Sequence, residues 1–243
     1  MKVSVVIPAL NEERTVAHVV RACLADEPHE VLVIDADSYD ETAAEAQASG
    51  ARVLNWREIL PEEPRPGKGE SLWRGVAAAQ GDIVVFIDAD VESAAAGMVS
   101  ALTEPFIDPH IQMVKARYQR SFEGKPTGGG RVTELTAKPL LRQFFPELAH
   151  IDQPLGGEYA LRRAAAVELP FVEGYGVEAG LLVDVAKRYG PYALAEVDLG
   201  TRAHRNRPLE ELAPMADVVA RTILSRAGVI GAVPQRPPLM GRI

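Results

Sequence analysis

Two carboxylates at the end of an apolar run, Asp88 and Asp90 in Asp82-Ile-Val-Val-Phe-Ile-Asp-Ala-Asp90, are the residues of this chain best placed to do chemistry. On a strand, residues i and i+2 share a side, so both carboxylates are expected to face one point beyond the strand's C-terminal end. Two anions held close repel unless a cation lies between them, and an oxygen-rich site of this kind suits Mg²⁺ or Mn²⁺. The bland alternative is a solvated turn with an Asp capping the next helix. The other motifs weigh against it.

Arg65-Pro-Gly-Lys-Gly-Glu-Ser-Leu-Trp73 places Lys68 in a Gly-flanked turn ahead of a helix, where it can reach an anion. Lys115 lies on a strand expected over 111–118. Thr127-Gly-Gly-Gly-Arg-Val-Thr-Glu134 opens a helical run, expected from Val132 through Phe145, with glycine N–H groups, a positive helix end and the Arg131 fork as an anion nest. No Lys-Ser/Thr pair follows these glycines, so this is not a P-loop. A mobile glycine hinge is the competing reading. In Phe171-Val-Glu-Gly-Tyr-Gly-Val-Glu178, a Gly-Tyr-Gly turn feeds a helix with Glu178 in its first turn, a position that a carboxylate also favours for dipole reasons alone. Val197 to Pro208 holds Asp198, His204, Asn206 and three arginines. His204 in that basic run can add a nitrogen ligand to a carboxylate-held metal, and Arg202, Arg205 and Arg207 suit a phosphate-bearing small molecule.

These residues need a frame that brings them together. Lys2 to Pro8 reads as a strand, and Ala9 to Glu13 as the opening of an amphipathic helix with Val16, Val19 and Val20 on its apolar face. Glu30 to Asp35 is a second strand, 41–49 a second helix, and Ile83 to Asp90 a third strand. That alternation predicts an α/β, Rossmann-like, mainly parallel sheet with helices on both faces. Ligands of such sheets bind beyond the carboxyl ends of the strands. Pro8–Glu12, Asp35–Ser38 and Asp88–Asp90 all fall there.

Composition narrows the partners. The 243 residues are enough for a single domain with a substantial core. A net charge of −8 argues against broad binding to nucleic acid or anionic membrane. The lone Cys23 cannot form an internal disulfide and is expected to be a small buried residue in a reducing cytoplasm. No signal peptide or membrane-spanning run is read in the sequence.

The runs Val3-Ser-Val-Val-Ile-Pro-Ala-Leu-Asn-Glu-Glu13, Arg65-Pro-Gly-Lys-Gly-Glu70 and Asp88-Ala-Asp90 resemble nucleotide-sugar glycosyltransferases of the A-type fold. Gly128-Gly-Gly-Arg-Val-Thr-Glu-Leu135, Gly174-Tyr-Gly-Val-Glu178 and Arg202-Ala-His-Arg-Asn-Arg-Pro-Leu209 narrow the resemblance to the glucosyl-3-phosphoglycerate synthase family. Its members are retaining enzymes that move glucose from UDP-glucose to D-3-phosphoglycerate. The similarity extends from the first strand to about Arg226.

The resemblance implies one glycosyltransferase domain over 1–243, with a nucleotide-sugar-binding half at 1–118 and an acceptor-binding half and tail at 119–243. It implies a uridine loop at Pro8, Ala9, Leu10 and Glu12, and further donor contacts at Ala36, Lys68, Asp88 and Ala89. Tyr175, Glu178 and Arg202 fall on the donor-sugar side. Asp90 and His204 are implied as metal ligands, and Gly130, Arg131, Val132, Thr133 and Asn206 as the acceptor pocket. Glu178, Asp90 and Arg131 would carry catalysis.

The chain departs from the family pattern in Asp35-Ala-Asp-Ser38, where Asp-Ser-Gly-Ser is usual, and in Ala89, where serine is usual. A homodimer is expected, and the Pro-rich tail at Pro234 to Pro238 is a candidate for reaching a neighbouring subunit. The implied mechanism is either front-face attack by the acceptor hydroxyl or a covalent intermediate on Glu178. Rival readings are a mannosyl-3-phosphoglycerate synthase using GDP-mannose, a polyprenyl-phosphate sugar transferase, which should carry membrane-seeking helices, and a nucleotide-sugar sensor without turnover.

Overall fold

A computed structural model describes residues 1–122, 125–127, 130–203 and 209–243. The strands are β1 (Val3–Ala9), β2 (Glu30–Asp35), β3 (Arg52–Asn55), β4 (Ile83–Phe86), β5 (Met113–Phe122), β6 (Lys125–Thr127), β7 (Tyr159–Arg162), β8 (Phe171–Val172), β9 (Leu194–Ala203) and β10 (Gln235–Arg236). The helices are α1 (Val16–Leu24), α2 (Thr42–Ala48), α3 (Lys68–Ala78), α4 (Met98–Thr103), α5 (Lys138–Phe144), α6 (Arg163–Ala166), α7 (Val177–Tyr189) and α8 (Leu209–Arg226).

Among the described residues, one eight-stranded sheet runs β3-β2-β1-β4-β7-β5-β6, with β9 also paired to β5. The first four strands are parallel. Strand β7 runs antiparallel between β4 and β5, while β9 is parallel to β5. The sheet is therefore mixed and mainly parallel along the edge that the βαβ pattern predicted. Alternation along the strands feeds two cores, one on each face. Val5 and Ile7 pack with Val16, Val19, Val20 and Cys23 of α1, whereas Val6, Ile34 and Phe86 pack with Leu72 and Trp73 of α3 and with α7. Strands buried on both faces read as continuous apolar runs, which is why they were legible. Cys23 is fully buried, and burial followed by nearby Asp26 pushes its thiol up to about 12.

Several boundaries differ from the sequence expectation, among them the strand expected over 111–118, which runs Met113–Phe122. The first helix begins at Val16 rather than beside Ala9, because β1 continues to Ala9 and a turn intervenes, with Thr15 and Val16 N–H donating to the Glu12 carbonyl at 3.1 and 3.0 Å. Strand β4 ends at Phe86, so strand alternation does not extend through Asp88 and Asp90. The run after Gly130 is a π-helix at Thr133–Ala137 followed by α5. Pro139 lies just past this wider turn, where its missing N–H interrupts an ordinary α ladder.

The Pro-rich tail also differs from expectation. It folds onto its own chain, where β10 pairs antiparallel with β8, and Leu239 is fully buried.

Candidate active site

The C-terminal ends of β2, β1 and β4 lie side by side, and their loops are stitched together. Ala36 N–H donates to the Ala9 carbonyl at 2.9 Å, and Ile87 N–H to the Val6 carbonyl at 3.2 Å. Asn11 N–H donates to Ser38 Oγ and Tyr39 N–H to Asn11 Oδ1, each at 3.0 Å, while Glu12 N–H reaches Thr42 Oγ1 at 2.7 Å. Asn11 and Asp37 adopt left-handed backbone, with φ of 58° and 63°. Asn and Asp tolerate that conformation better than most residues, and it is held here by reciprocal bonds between the two loops. The expected convergence of Pro8–Glu12, Asp35–Ser38 and the end of β4 is thus present. Leu10 projects into solvent, 55% exposed, beside buried Ala9.

Deeper in the site lies a charge cluster drawn from three separate elements. Lys68, the first residue of α3, places Nζ 2.5 Å from Asp88 Oδ1 and 2.6 Å from Glu178 Oε1 at the start of α7. The three side chains are 16%, 26% and 5% exposed, respectively. Burial opposes the charge on Lys68, but the Asp88 and Glu178 carboxylates outweigh it and hold the ammonium well above its usual range. Glycines make this approach possible. A Cβ on Gly157 would collide with the Asp88 carboxylate, one on Gly69 with the Val172 carbonyl, and one on Gly67 (φ 104°) with Gly174.

Behind the cluster stands a second buried lysine. Lys115 Nζ donates to the Gly156 carbonyl at 2.6 Å and lies 4.6 Å from the centre of the Tyr159 ring. Burial dominates here and pulls its ammonium down to about 8, against the opposing pull of Glu178 and Glu158. The fully buried Tyr159 phenol is raised well above its ordinary value, by burial first and then by Glu178.

Asp90 is exposed and Ala89 buried, one residue beyond Asp88. Gly130 is half-buried and Arg131 exposed, whereas Val132 and Thr133 are buried. Glu134 N–H donates to the Gly130 carbonyl at 2.9 Å, which fixes Gly130 at the helix start. Tyr175, in the short 3₁₀ turn Gly174–Gly176, is 46% exposed. Arg202 is placed in β9 opposite Arg120. His204 and Asn206 lie outside the described residues. Among the described residues, no three His, Cys, Asp or Glu side chains form a metal-sized group, and no helix is long and apolar enough to cross a membrane.

Sequence reasoning missed the inner wall. Tyr159, Glu158 and the Gly156–Gly157 turn carry no motif, and nothing in the sequence marks Lys115 as a buried neighbour of the Gly156 carbonyl and the Tyr159 ring.

Residues 4–166 match the model of glycosyl transferase family 2. Glucosyl-3-phosphoglycerate synthase of Mycobacterium tuberculosis (strain ATCC 25618 / H37Rv) is 50% identical over 242 residues, covering 93% of this chain and 74% of the relative. The chain belongs to the glucosyl-3-phosphoglycerate synthase family. The synthase of Petrotoga mobilis is 43% identical over 238 residues, covering 93% of this chain and 73% of that one. A crystal structure of the M. tuberculosis synthase with UDP superposes with a TM-score of 0.91 at 45% identity, over 100% of this chain and 92% of that one. Another, holding Mn²⁺, UDP and glucosyl-3-phosphoglycerate, gives 0.91 at 45% identity over the same shares. This member of the family thus has the A-type glycosyltransferase fold expected from its motifs.

Proposed function

We propose that this chain transfers glucose from UDP-glucose to D-3-phosphoglycerate with retention of configuration, as a cytoplasmic enzyme. The observation that carries the reading is the Lys68 bridge between Asp88 and Glu178 at the C-terminal edge of the sheet, in a chain half identical to synthases of that name.

Each residue then has a task. Pro8, Ala9, Leu10, Glu12 and Ala36 form the stitched loops that take the uridine, where rigid backbone lowers the ordering cost of binding. Lys68 offers a permanent positive charge to the diphosphate, already placed and largely dehydrated, where electrostatic stabilisation of a leaving group is strongest. Asp88 and Ala89 complete this wall, and Tyr175 and Arg202 take the sugar-side roles that the family motifs imply. Glu178 takes glucose hydroxyls. Its ion pair with Lys68 lowers its nucleophilicity, which favours front-face attack over a covalent intermediate, with the acceptor proton passing to the departing phosphate oxygen.

Gly130, Arg131, Val132, Thr133 and Asn206 hold the acceptor's anionic groups and aim its 2-hydroxyl at the sugar, a positioning effect. The exposed Asp90 carboxylate fits a hard divalent cation, since Lys68 already occupies Asp88, and Asp90 with His204 would hold it. Mg²⁺ or Mn²⁺ there would neutralise charge on the diphosphate.

The test is a panel of nucleotide sugars, including GDP-mannose, offered with 3-phosphoglycerate and Mn²⁺ and read by product mass. UDP-glucose should give the dominant hexosyl-phosphoglycerate product. Dominance of GDP-mannose, or no transfer from any donor, would reject the reading.

A further inference from the structure

The described tail is a strap across the back of the site; it touches α3, which carries Lys68, and is joined through Arg226 of α8 to α7, which carries Glu178. Strand β10 pairs with β8, with Gln235 opposite Val172 and Arg236 opposite Phe171. Val172 is the residue whose carbonyl Gly69 abuts, so β8 lies between the strap and the turn that presents Lys68. Arg236 crosses this layer. Its Nε and Nη2 donate to Glu70 Oε2 and Oε1 at 2.7 and 2.8 Å, and Glu70 also accepts from Arg74 Nε at 2.7 Å. Glu70 and Arg74 are fully buried and the Arg236 side chain is 7% exposed. Glu70 is two residues from Lys68 in the first turn of α3, and its N–H closes that turn on the Gly67 carbonyl at 3.1 Å.

Other bonds fix the strap along its length. Trp73 Nε1 donates to the Pro237 carbonyl at 3.0 Å, and Arg236 lies 5.0 Å from the centre of the same indole. On the other side, Arg226 joins Gln235 Oε1 at 2.8 Å to Asp184 of α7, the helix that begins at Glu178, at 2.9 Å. A buried Arg–Glu–Arg arrangement is a poor device for stability alone, because apolar residues of similar volume often do as well. It does fix direction, since a bidentate guanidinium fork admits one orientation of its carboxylate.

We propose that Arg236 is a positioning residue for the transfer reaction: through Glu70 it sets the first turn of α3, and so holds the Lys68 ammonium where the nucleotide sugar's diphosphate binds. This rests on the donor-side role given to Lys68 above. The strap's buried ion pair falls on Glu70 in the first turn of α3, so its effect is expected on the donor side.

The test is calorimetric UDP binding and steady-state kinetics on the full chain as wild type, Arg236→Met, Arg236→Lys, Lys68→Gln and the Arg236→Met/Lys68→Gln double variant. All are assayed well below each variant's melting temperature. Arg236→Met should weaken UDP and raise the UDP-glucose KM about fivefold or more, with the 3-phosphoglycerate KM unchanged. Arg236→Lys should recover part of the loss. Because Arg236 acts through Lys68, the double variant should bind UDP no more weakly than Lys68→Gln alone, since residues in one network are not additive.

A role in stability alone would lower the melting temperature and leave both KM values of the folded fraction unchanged, which overturns the proposal. Losses that add in the double variant, or that fall equally on donor and acceptor, overturn it too. If Arg236→Met fails to fold, Arg236→Lys and its double variant with Lys68→Gln give the same comparison. Wild type that fails to bind UDP would instead reject the proposed function itself, leaving the two failures distinguishable.

Discussion

The proposed donor side and the proposed acceptor side of this site are built on opposite electrostatic principles. On the donor side, Lys68, Asp88 and Glu178 are mostly withdrawn from water and tied by short ion pairs. On the acceptor side, Arg131 stands exposed at the start of a helical run whose next two residues are buried. Charges in a low-dielectric setting interact strongly and cost much when left alone, whereas exposed ones are screened. The donor side should therefore respond to single changes with large losses, and the acceptor side with graded ones.

Replacing Lys68 should have the largest effect. Lys68→Gln leaves two carboxylates facing each other without their cation, a change of the kind that costs about 3–5 kcal/mol of stability. The kcat/KM for UDP-glucose should also fall roughly 10²–10³-fold. Steady-state kinetics and denaturant unfolding read both; a loss confined to stability would mean that Lys68 is structural only.

Metal removal comes next. If Asp90 and His204 hold the cation, EDTA should abolish transfer and Mn²⁺ or Mg²⁺ should restore it, while Asp90→Ala stays folded and inactive. Full turnover in EDTA would take the metal out of the account.

A graded effect is expected at Arg131. Arg131→Lys keeps the charge but loses the planar fork, so the KM for 3-phosphoglycerate should rise about tenfold, equivalent to ~1.4 kcal/mol, with the UDP-glucose KM nearly unchanged. Unphosphorylated glycerate should be a poor acceptor for the wild type. Equal use of glycerate and its phosphate would move the acceptor away from this rim.

The smallest effect concerns the lysine behind the donor wall. Lys115 is pulled down to about 8 in the fold, whereas a free lysine titrates near ~10.4. Between those values the unfolded chain binds the extra proton, so this group makes stability rise with pH from about 8 to about 10. The Cys23 thiol, raised to about 12, acts in the opposite direction once the unfolded thiol ionises. Comparing wild type with Lys115→Met cancels that contribution. The variant should be the more stable of the two below pH 8, with the gap closing toward pH 10. A pH-independent gap would show that Lys115 is not held as described.

The two sides were unequally legible in the sequence. The donor edge was readable because βαβ units are local: each loop follows its strand within a few residues, and β1, β2 and β4 carry uninterrupted apolar runs. The Lys68–Glu178 contact joins α3 to α7 across the fold, and Arg236 meets Glu70 from 166 residues away. No periodicity encodes such distances. Family motifs singled out Lys68 and Glu178 one at a time, but their pairing, with Asp88 as the second carboxylate on Lys68, emerges only when Gly67, Gly69 and Gly157 let three backbones approach. Lys115 was placed on a strand but without neighbours, since its environment is set by β7 and the Gly156 turn rather than by adjacent sequence.

The most direct test of the division between donor and acceptor sides is calorimetric titration of UDP, with Mn²⁺ present, into Lys68→Gln and Arg131→Lys, each verified as folded. Lys68→Gln should lose at least tenfold in UDP affinity, and Arg131→Lys should stay within twofold of wild type. Equal losses in the two variants, or a greater loss at Arg131, would contradict the account.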